Sequence, residues 1–232
     1  MKEHIYTIPV TEAFSEHKSH CPFCALKEKL ERDEVELILG ASMMEPDIRI
    51  KTNELGFCSR HFTKMFKMQN RLGLALMLES HLDSLKKELK LGNFLAKDIA
   101  QKSVERIDRL ENTCYICNRI EDKISKMFTT AAYLYDEESE FRANFSEVRY
   151  FCLPHYREYM IAAKRVLSKE SYPKLVKAAN EKIENYLFSL KDDVSLFCKK
   201  FDYNSDDIPW GESRDSVERS IKYLTGEETL SK

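Results

Sequence analysis

Four short cysteine and histidine motifs hold the residues of this chain that are best suited to do chemistry. Two are Cys-x-x-Cys pairs and two are Cys-x-x-His pairs, and the two kinds alternate along the chain. Two thiolates one helical turn apart, joined by a third thiolate and an imidazole, form the ligand set of a tetrahedral zinc site. The eight candidate ligands are Cys21, Cys24, Cys58 and His61 in a first segment, and Cys114, Cys117, Cys152 and His155 in a second.

The spacing of these motifs repeats almost to the residue. In the first segment 33 residues (25–57) separate the pairs, and in the second segment 34 residues (118–151) do so. The repetition predicts two similar helical modules, each stapled by its own Cys3His site, and so two Zn2+ ions per chain. Spacing alone leaves open the alternative pairing across segments, for example Cys21 and Cys24 with Cys152 and His155.

The type of metal and its role follow from the ligand set. An iron–sulfur cluster is the main competitor to zinc, although clusters more often use four cysteines. Four protein ligands leave no coordination position for water or substrate, so the sites are predicted to be structural and no catalytic residue is assigned. Oxidation of thiolates can also release a metal, which makes thiol-redox sensing a further alternative.

Composition narrows the classes of partner. The 232 residues include 37 basic and 39 acidic ones, and the formal net charge is −2. Such a chain has no overall basic field, so nucleic acid is not an expected partner. Residues 1–14 hold no continuous apolar run, and the longest apolar stretch, 72–78, is too short for a bilayer. We therefore expect a cytoplasmic protein without a membrane partner, in a compartment where cysteines stay available as ligands.

Apolar residues recur at helical spacing over most of the chain, which predicts an all-α fold. Residues 1–20 are expected to be irregular because of Pro9, and a helix should begin near Cys21. A long helix is expected from His61 to Leu89, buried in its middle. The second segment should repeat this order, with Pro173 breaking the helix that opens at Cys152.

Three domains are predicted from these patterns. The first module covers 1–111, the second covers 112–203, and a C-terminal tail with a short helix covers 204–232. In the tail we expect Trp210 to pack on the body of the protein. Cys198, the one cysteine outside the motifs, is expected to be a core residue of the last long helix.

Polar residues of the first segment have no counterpart in the second and form a candidate binding site. They are Glu45, Asp47, Arg49, Asn70 and Arg71. If these side chains converge, they could bind a small molecule or a partner; the alternative is that they cap helices and pair with one another. His17 and His20 lie close enough in sequence to Cys21 to contact the ligands of the first site.

Several phrases around the ligands resemble an uncharacterised family of bacterial proteins, mainly from Gram-positive lineages. The phrases are Met44-Glu45-Pro46-Asp47-Ile48-Arg49, Thr52-Asn53, Gly56-Phe57-Cys58 and Asn70-Arg71-Leu72-Gly73-Leu74-Ala75, and the likeness extends over nearly the whole chain. The resemblance implies a cytosolic protein that is rich in metal ligands. It implies no assigned activity.

Two classes of function remain in view. The first hypothesis is a non-enzymatic zinc protein that serves as an interaction or adaptor scaffold for a protein partner, because closed metal sites show no nucleophile and base beside them. The second is an enzyme or small-molecule-binding protein with a polar pocket between the modules. A third hypothesis, groove-reading nucleic-acid binding, conflicts with the neutral charge and with spacers far longer than the ~12 residues of a zinc finger.

Overall fold

Every long regular element in the described part of the protein is a helix. The computed structural model describes residues 5–89, 96–201 and 209–226, and this part of the chain contains no β-strand, which confirms the all-α prediction. The helices are α1 (Thr7–Glu16), α2 (Pro22–Leu39), α3 (Pro46–Leu55), α4 (Ser59–Lys67), α5 (Arg71–Glu88), α6 (Ala96–Asn112), α7 (Tyr115–Glu137), α8 (Ser139–Glu147), α9 (Leu153–Val166), α10 (Ser171–Lys199) and α11 (Ser216–Thr225). Short 3-10 turns cover Ala41–Met44 and Gly211–Ser213.

The chain divides into two compact units. Unit 1 consists of Met1–Glu28 and Ile124–Lys232, and unit 2 consists of Lys29–Lys123. The division passes through α2 and α7, so it differs from the predicted boundaries after residues 111 and 203. In each segment a long helix that begins at a Cys-x-x-Cys pair is followed by a short helix and then by a helix that begins at a Cys-x-x-His pair, and the first segment has an additional 3-10 turn, Ala41–Met44.

Unit 1 has a core of aromatic rings. Six of its largest side chains are fully buried: Phe14, Phe23, Phe141, Phe145, Phe151 and Tyr159. Phe23 lies 5.4 Å from Phe14 and 5.0 Å from Tyr159, measured between ring centroids. Because Phe23 stands between Cys21 and Cys24 in sequence, this core is anchored directly beside a pair of candidate ligands.

Helix α1 corrects the prediction of an irregular lead-in. Pro9 occupies the first turn of α1, where its missing amide hydrogen has no intrahelical acceptor and therefore costs nothing. Val10 and Phe14, four residues apart, are both buried, and α1 packs against α8. The segment before the first ligand is thus tied into the core of unit 1.

In unit 2, α3 and α4 pack against α5. The long helix predicted from His61 to Leu89 is wrong, because the chain turns between Lys67 and Arg71. Gln69 has a φ of 60°, and the side chain of Asn70 caps α5 by accepting a hydrogen bond from the Gly73 amide at 2.9 Å. The turn separates α4, which begins at the motif of Cys58 and His61, from α5.

The expected burial of the middle of that segment is also wrong in part. Leu74 and Met77 are buried, but Leu72 is 71% exposed and Leu82 is 61% exposed. The buried residues of α5 lie on one face of the helix. An apolar composition on all sides of a helix therefore does not show that all its sides are buried.

The last part of unit 1 shows one confirmed expectation and two errors. Trp210 packs edge-on against Phe197 of α10 at 5.9 Å, as expected. Pro173 does not break a helix: α9 already ends at Val166, and Pro173 lies in the first turn of α10. Cys198 is exposed and is no core residue.

Candidate metal centres

The eight predicted ligands come together in two groups of four. Centre A consists of Cys21, Cys24, Cys152 and His155, and centre B consists of Cys58, His61, Cys114 and Cys117. In each group the potential ligand atoms all lie within 4.8 Å of one another. Centre A lies within unit 1 and centre B within unit 2.

The pairing is the one that joins the two sequence segments. Each centre takes its Cys-x-x-Cys pair from one segment and its Cys-x-x-His pair from the other. The leading prediction, a separate site inside each segment, is therefore wrong, and the alternative that spacing left open is correct. The physical reason is that loop-closure entropy favours the shorter loops inside each segment only weakly, so spacing does not fix the pairing.

Distances within centre A are those of a ligand shell around one ion. The imidazole Nδ1 of His155 lies 3.7 Å from Cys21 Sγ, 3.4 Å from Cys24 Sγ and 3.1 Å from Cys152 Sγ. The Sγ atoms of Cys24 and Cys152 are 3.6 Å apart. Nδ1 is therefore the histidine atom that faces the sulfurs.

Centre B has the same arrangement. His61 Nδ1 lies 3.3 Å from Cys58 Sγ, 3.2 Å from Cys114 Sγ and 3.4 Å from Cys117 Sγ. Cys58 Sγ and Cys117 Sγ are separated by 3.8 Å. The two centres thus use the same ligand types and the same histidine atom.

These separations fit a tetrahedral ion. With Zn–S bonds of about 2.3 Å and Zn–N bonds of about 2.0 Å, a tetrahedron has S–S edges of about 3.8 Å and S–N edges of about 3.5 Å. The observed S–S distances of 3.6 and 3.8 Å and S–N distances between 3.1 and 3.7 Å lie close to these values. Both groups could hold a metal ion.

Local sequence places all four motifs at the beginnings of helices. Cys58 and Cys152 are the N-cap residues of α4 and α9, and Cys21 and Cys114 directly precede α2 and α7. Pro22 opens α2 and Pro154 lies in the first turn of α9, positions that suit the fixed φ of proline. A divalent metal bound to three thiolates and one neutral imidazole has a net charge of −1, which the positive ends of these helices stabilise.

A buried carboxylate orients the histidine of centre B. Glu31 Oε1 lies 3.1 Å from His61 Nε2, on the side of the ring opposite the sulfurs. Glu31 is only 3% exposed and also forms ion pairs with Arg60 and Lys64. Burial raises the pKa of Glu31, but its bonds to His61 and to the two cations outweigh that effect and hold the pKa at about 2. Glu31 stays ionised and directs Nδ1 toward the sulfurs.

Replacing Glu31 should weaken metal binding at centre B. We expect Glu31→Gln to reduce the affinity of that centre about 10- to 100-fold, because the amide cannot supply the negative charge that makes the imidazole a better donor. The measurement is competition against a chromophoric chelator. Glu34→Gln is the matched control, since Glu34 is also buried but pairs with Arg119 and Lys123 instead of a ligand. Equal losses in the two variants would contradict this role.

Centre A is surrounded by rings and by the end of α11. His155 packs against Phe23 and Phe128, with ring centroids 6.3 and 5.9 Å away. Gly226 ends α11 with a φ of 69°, and its carbonyl oxygen lies 3.8 Å from Cys24 Sγ. A Cβ atom at Gly226 would lie 3.2 Å from Cys152 Sγ. Because Gly226 has no side chain and adopts a left-handed backbone conformation, the backbone at the end of α11 can approach the sulfurs of centre A closely.

This close approach makes Gly226→Ala a test of centre A. We expect the variant to lose about 1–3 kcal/mol of stability from backbone strain and crowding, and to bind zinc at centre A more weakly. Gly211→Ala is the matched control, because Gly211 also has a positive φ of 52° but nothing lies within 4 Å of its added Cβ. Urea denaturation and zinc competition measure both effects. Zinc affinities that are unchanged in both variants would show that the sulfurs tolerate the extra methyl group.

The thiols of each group differ sharply in acidity. In centre B, burial raises the pKa of Cys114, but the hydrogen bond to His61 lowers it to about 6. Burial and the neighbouring charge of Cys114 raise the pKa of Cys117 to about 12. In centre A, burial raises the pKa of Cys21, but hydrogen bonds with Cys152 and Cys24 outweigh burial and lower it. The pKa of Cys152 is raised to about 12, mainly by its hydrogen bond to Cys21. One thiolate thus opposes ionisation of its neighbours, and a divalent cation removes this repulsion.

The candidate polar residues are used by the helices of unit 2. Arg49 donates hydrogen bonds to the carbonyl of Met43 and to Ser80 Oγ, while Asn70 caps α5. The guanidinium of Arg71 lies over the ring of Phe66, 3.3 Å from its centroid. Glu45 is the N-cap residue of α3, and Asp47 is an exposed side chain in its first turn.

Sequence reasoning chose the wrong neighbours for the ligands. His20 is exposed and pairs with Ser19, with Oγ 2.6 Å from Nδ1, whereas His17 is half-buried. Glu31 was missed. Its signal was an acidic residue on the buried face of α2, four residues before Val35. Charged residues are rarely buried without a partner, so this position could have been singled out.

Comparison with known proteins adds a family and no activity. In the part of the chain that the structure describes, no helix combines the length and apolar composition needed to cross a bilayer. Neither the curated proteins nor the solved structures gave a match to this chain. The model of one family, described as a family of unknown function (DUF6062), matches residues 1–230. The chain therefore belongs to the DUF6062 family of unknown function.

Proposed function

We propose that the protein binds two Zn2+ ions, one in centre A and one in centre B, and that both ions are structural. The observation that carries this proposal is the agreement of the S–S and S–N distances in both centres with the edges of a zinc tetrahedron. Each ion would join the beginnings of two helices that are far apart in sequence: α2 and α9 in centre A, and α4 and α7 in centre B.

The same distances disfavour an iron–sulfur cluster. In a cluster the four protein ligands are divided among two or more iron atoms, so they are spread around several metals. Here the four ligand atoms of each centre lie within 4.8 Å of one another, close enough to share one ion. Thiolate and imidazole ligands in a tetrahedral arrangement favour zinc among the divalent metals.

Metal analysis of freshly purified protein tests the identity of the ion. We expect about two zinc per chain and no visible colour, since Zn2+ has a filled d shell. A brown protein that contains iron and sulfide would overturn the zinc assignment. A red protein with one iron per centre would keep the geometry but replace the metal.

A structural role makes a separate prediction about access to the metal. Centres with four protein ligands have no position for an external ligand, whereas catalytic zinc keeps one open. Replacement of zinc by Co2+ gives a visible spectrum that reports the ligand shell. We expect this spectrum to stay unchanged when cyanide or azide is added. A shift on addition would indicate an open position and would favour an enzyme.

We also propose that the zinc-held helices serve as a non-enzymatic scaffold for a protein partner. Support comes from the closed ligand shells and from the engagement of Arg49, Asn70 and Arg71 in helix structure rather than in a common pocket. A specific turnover activity that is lost on mutation of those residues, with both zinc ions retained, would contradict the scaffold.

A further inference from the structure

The two centres differ in how far solvent reaches their sulfurs. All four ligands of centre A are buried. In centre B, His61 and Cys114 are buried, whereas Cys58 is half-buried and Cys117 is exposed. These two less buried cysteines are also neighbours, with 3.8 Å between their Sγ atoms. Centre B therefore presents one edge of its ligand shell, Cys58–Cys117, to solvent.

An accessible pair of thiolates at this distance has a defined chemistry. Thiolates react with peroxides when they are exposed, and the sulfenic acid that forms condenses with a nearby thiol to give a disulfide. A bond between the two sulfurs needs them to approach from 3.8 Å to about 2.05 Å. Cys58 is the N-cap residue of α4, preceded by a non-helical segment, so the approach can be made at a helix end.

We propose that centre B is a peroxide-responsive zinc site, in which Cys117 is oxidised, Cys58 resolves it and the zinc ion is released, while centre A keeps its ion. The inference rests on the proposed zinc binding and adds a regulation of one of the two sites. It assigns different roles to the centres: A holds unit 1 together permanently, and B couples unit 2 to the redox state of its surroundings.

The reaction balances with hydrogen peroxide as the oxidant. The Cys117 thiolate attacks one peroxide oxygen, the O–O bond breaks, and the departing hydroxide takes a proton to become water. The Cys58 thiolate then attacks Sγ of the Cys117 sulfenic acid, the S–O bond breaks, and a second water leaves after protonation. Two thiolates have lost two electrons to the peroxide, and Zn2+, left with only Cys114 and His61, dissociates.

The experiment uses the full chain with Cys198→Ser, which removes an exposed cysteine that belongs to neither centre. Protein loaded with zinc is treated with hydrogen peroxide in the presence of a chromogenic zinc indicator. We expect one zinc per chain to be released at least about tenfold faster than the other. Peptide mass spectrometry should find a Cys58–Cys117 disulfide, and dithiothreitol with added zinc should restore the starting state.

A matched variant identifies the slow ion. Cys58→Ser/Cys117→Ser in the same background keeps only centre A, and its single zinc should be released at the slow rate. Release of both ions of the parent protein at equal rates, or earlier oxidation of Cys21, Cys24 or Cys152, would overturn the inference. A chain that binds no zinc before peroxide is added would instead refute the proposed function, so the two failures are distinguishable.

Discussion

Removal of both metal ions is expected to unfold much of the helical structure. Binding of structural zinc is worth about 10 kcal/mol or more, which is comparable with the whole stability of a domain. Each ion here would connect two helix beginnings, and four helices, α2, α4, α7 and α9, begin at ligands. Circular dichroism after incubation with a strong chelator measures the loss, and added zinc should restore the signal whereas added magnesium should not.

The loss should be uneven between the two units. Unit 1 retains an aromatic core around Phe14, Phe23 and Phe151, whose burial does not depend on the metal alone. In unit 2, α4 is only nine residues long and buries just His61 and Met65. Hydrogen exchange should therefore show α4 losing its protection before α9 does. An unchanged dichroism spectrum after verified removal of both ions would contradict the structural role.

The second large effect concerns which ligands share an ion. Cys24→Ser/Cys152→Ser changes two ligands of centre A, so we expect this variant to retain about one zinc per chain. Cys24→Ser/Cys58→Ser changes one ligand in each centre and should retain almost none. Separate sites inside each sequence segment would give the opposite result for the two variants. Zinc content by elemental analysis decides between the two pairings.

Poor folding of a zinc-free variant would not prevent this test. In the unaltered protein, a limiting amount of chelator should expose thiols to alkylation in sets that belong to one centre. The structure predicts one set of Cys21, Cys24 and Cys152 and another of Cys58, Cys114 and Cys117. A set that mixes Cys24 with Cys58 would contradict the pairing.

The ligands could be predicted from sequence because their chemistry is local. A Cys-x-x-Cys pair at the start of a helix, such as Cys21 and Cys24 at α2, needs only residue types and one turn of backbone. The sharing of ligands between segments could not be predicted from spacing. Pairing within segments closes loops of 33 and 34 residues, whereas the observed pairing closes loops of 52 residues (62–113) and 127 residues (25–151). Closure entropy favours the shorter loops but grows only slowly with loop length, so tertiary packing can outweigh it. That choice depends on tertiary packing.

The errors in the predicted fold also arise because tertiary packing cannot be read from the sequence. The break before α5 depends on the Asn70 side chain, which also donates to the carbonyl of Leu39 at 2.8 Å, a contact between distant parts of unit 2. The exposure of Leu72 and Leu82 depends on how many helices surround α5. Periodicity reports which residues share a face of a helix and leaves open what covers that face.

X-ray absorption at the zinc edge, on protein shown to contain about two zinc per chain, tests the central claim most directly. We expect an average shell of three sulfurs at about 2.3 Å and one nitrogen at about 2.0 Å for each zinc. A shell dominated by oxygen, or a different ratio of sulfur to nitrogen, would contradict two ions each held by three cysteines and one histidine.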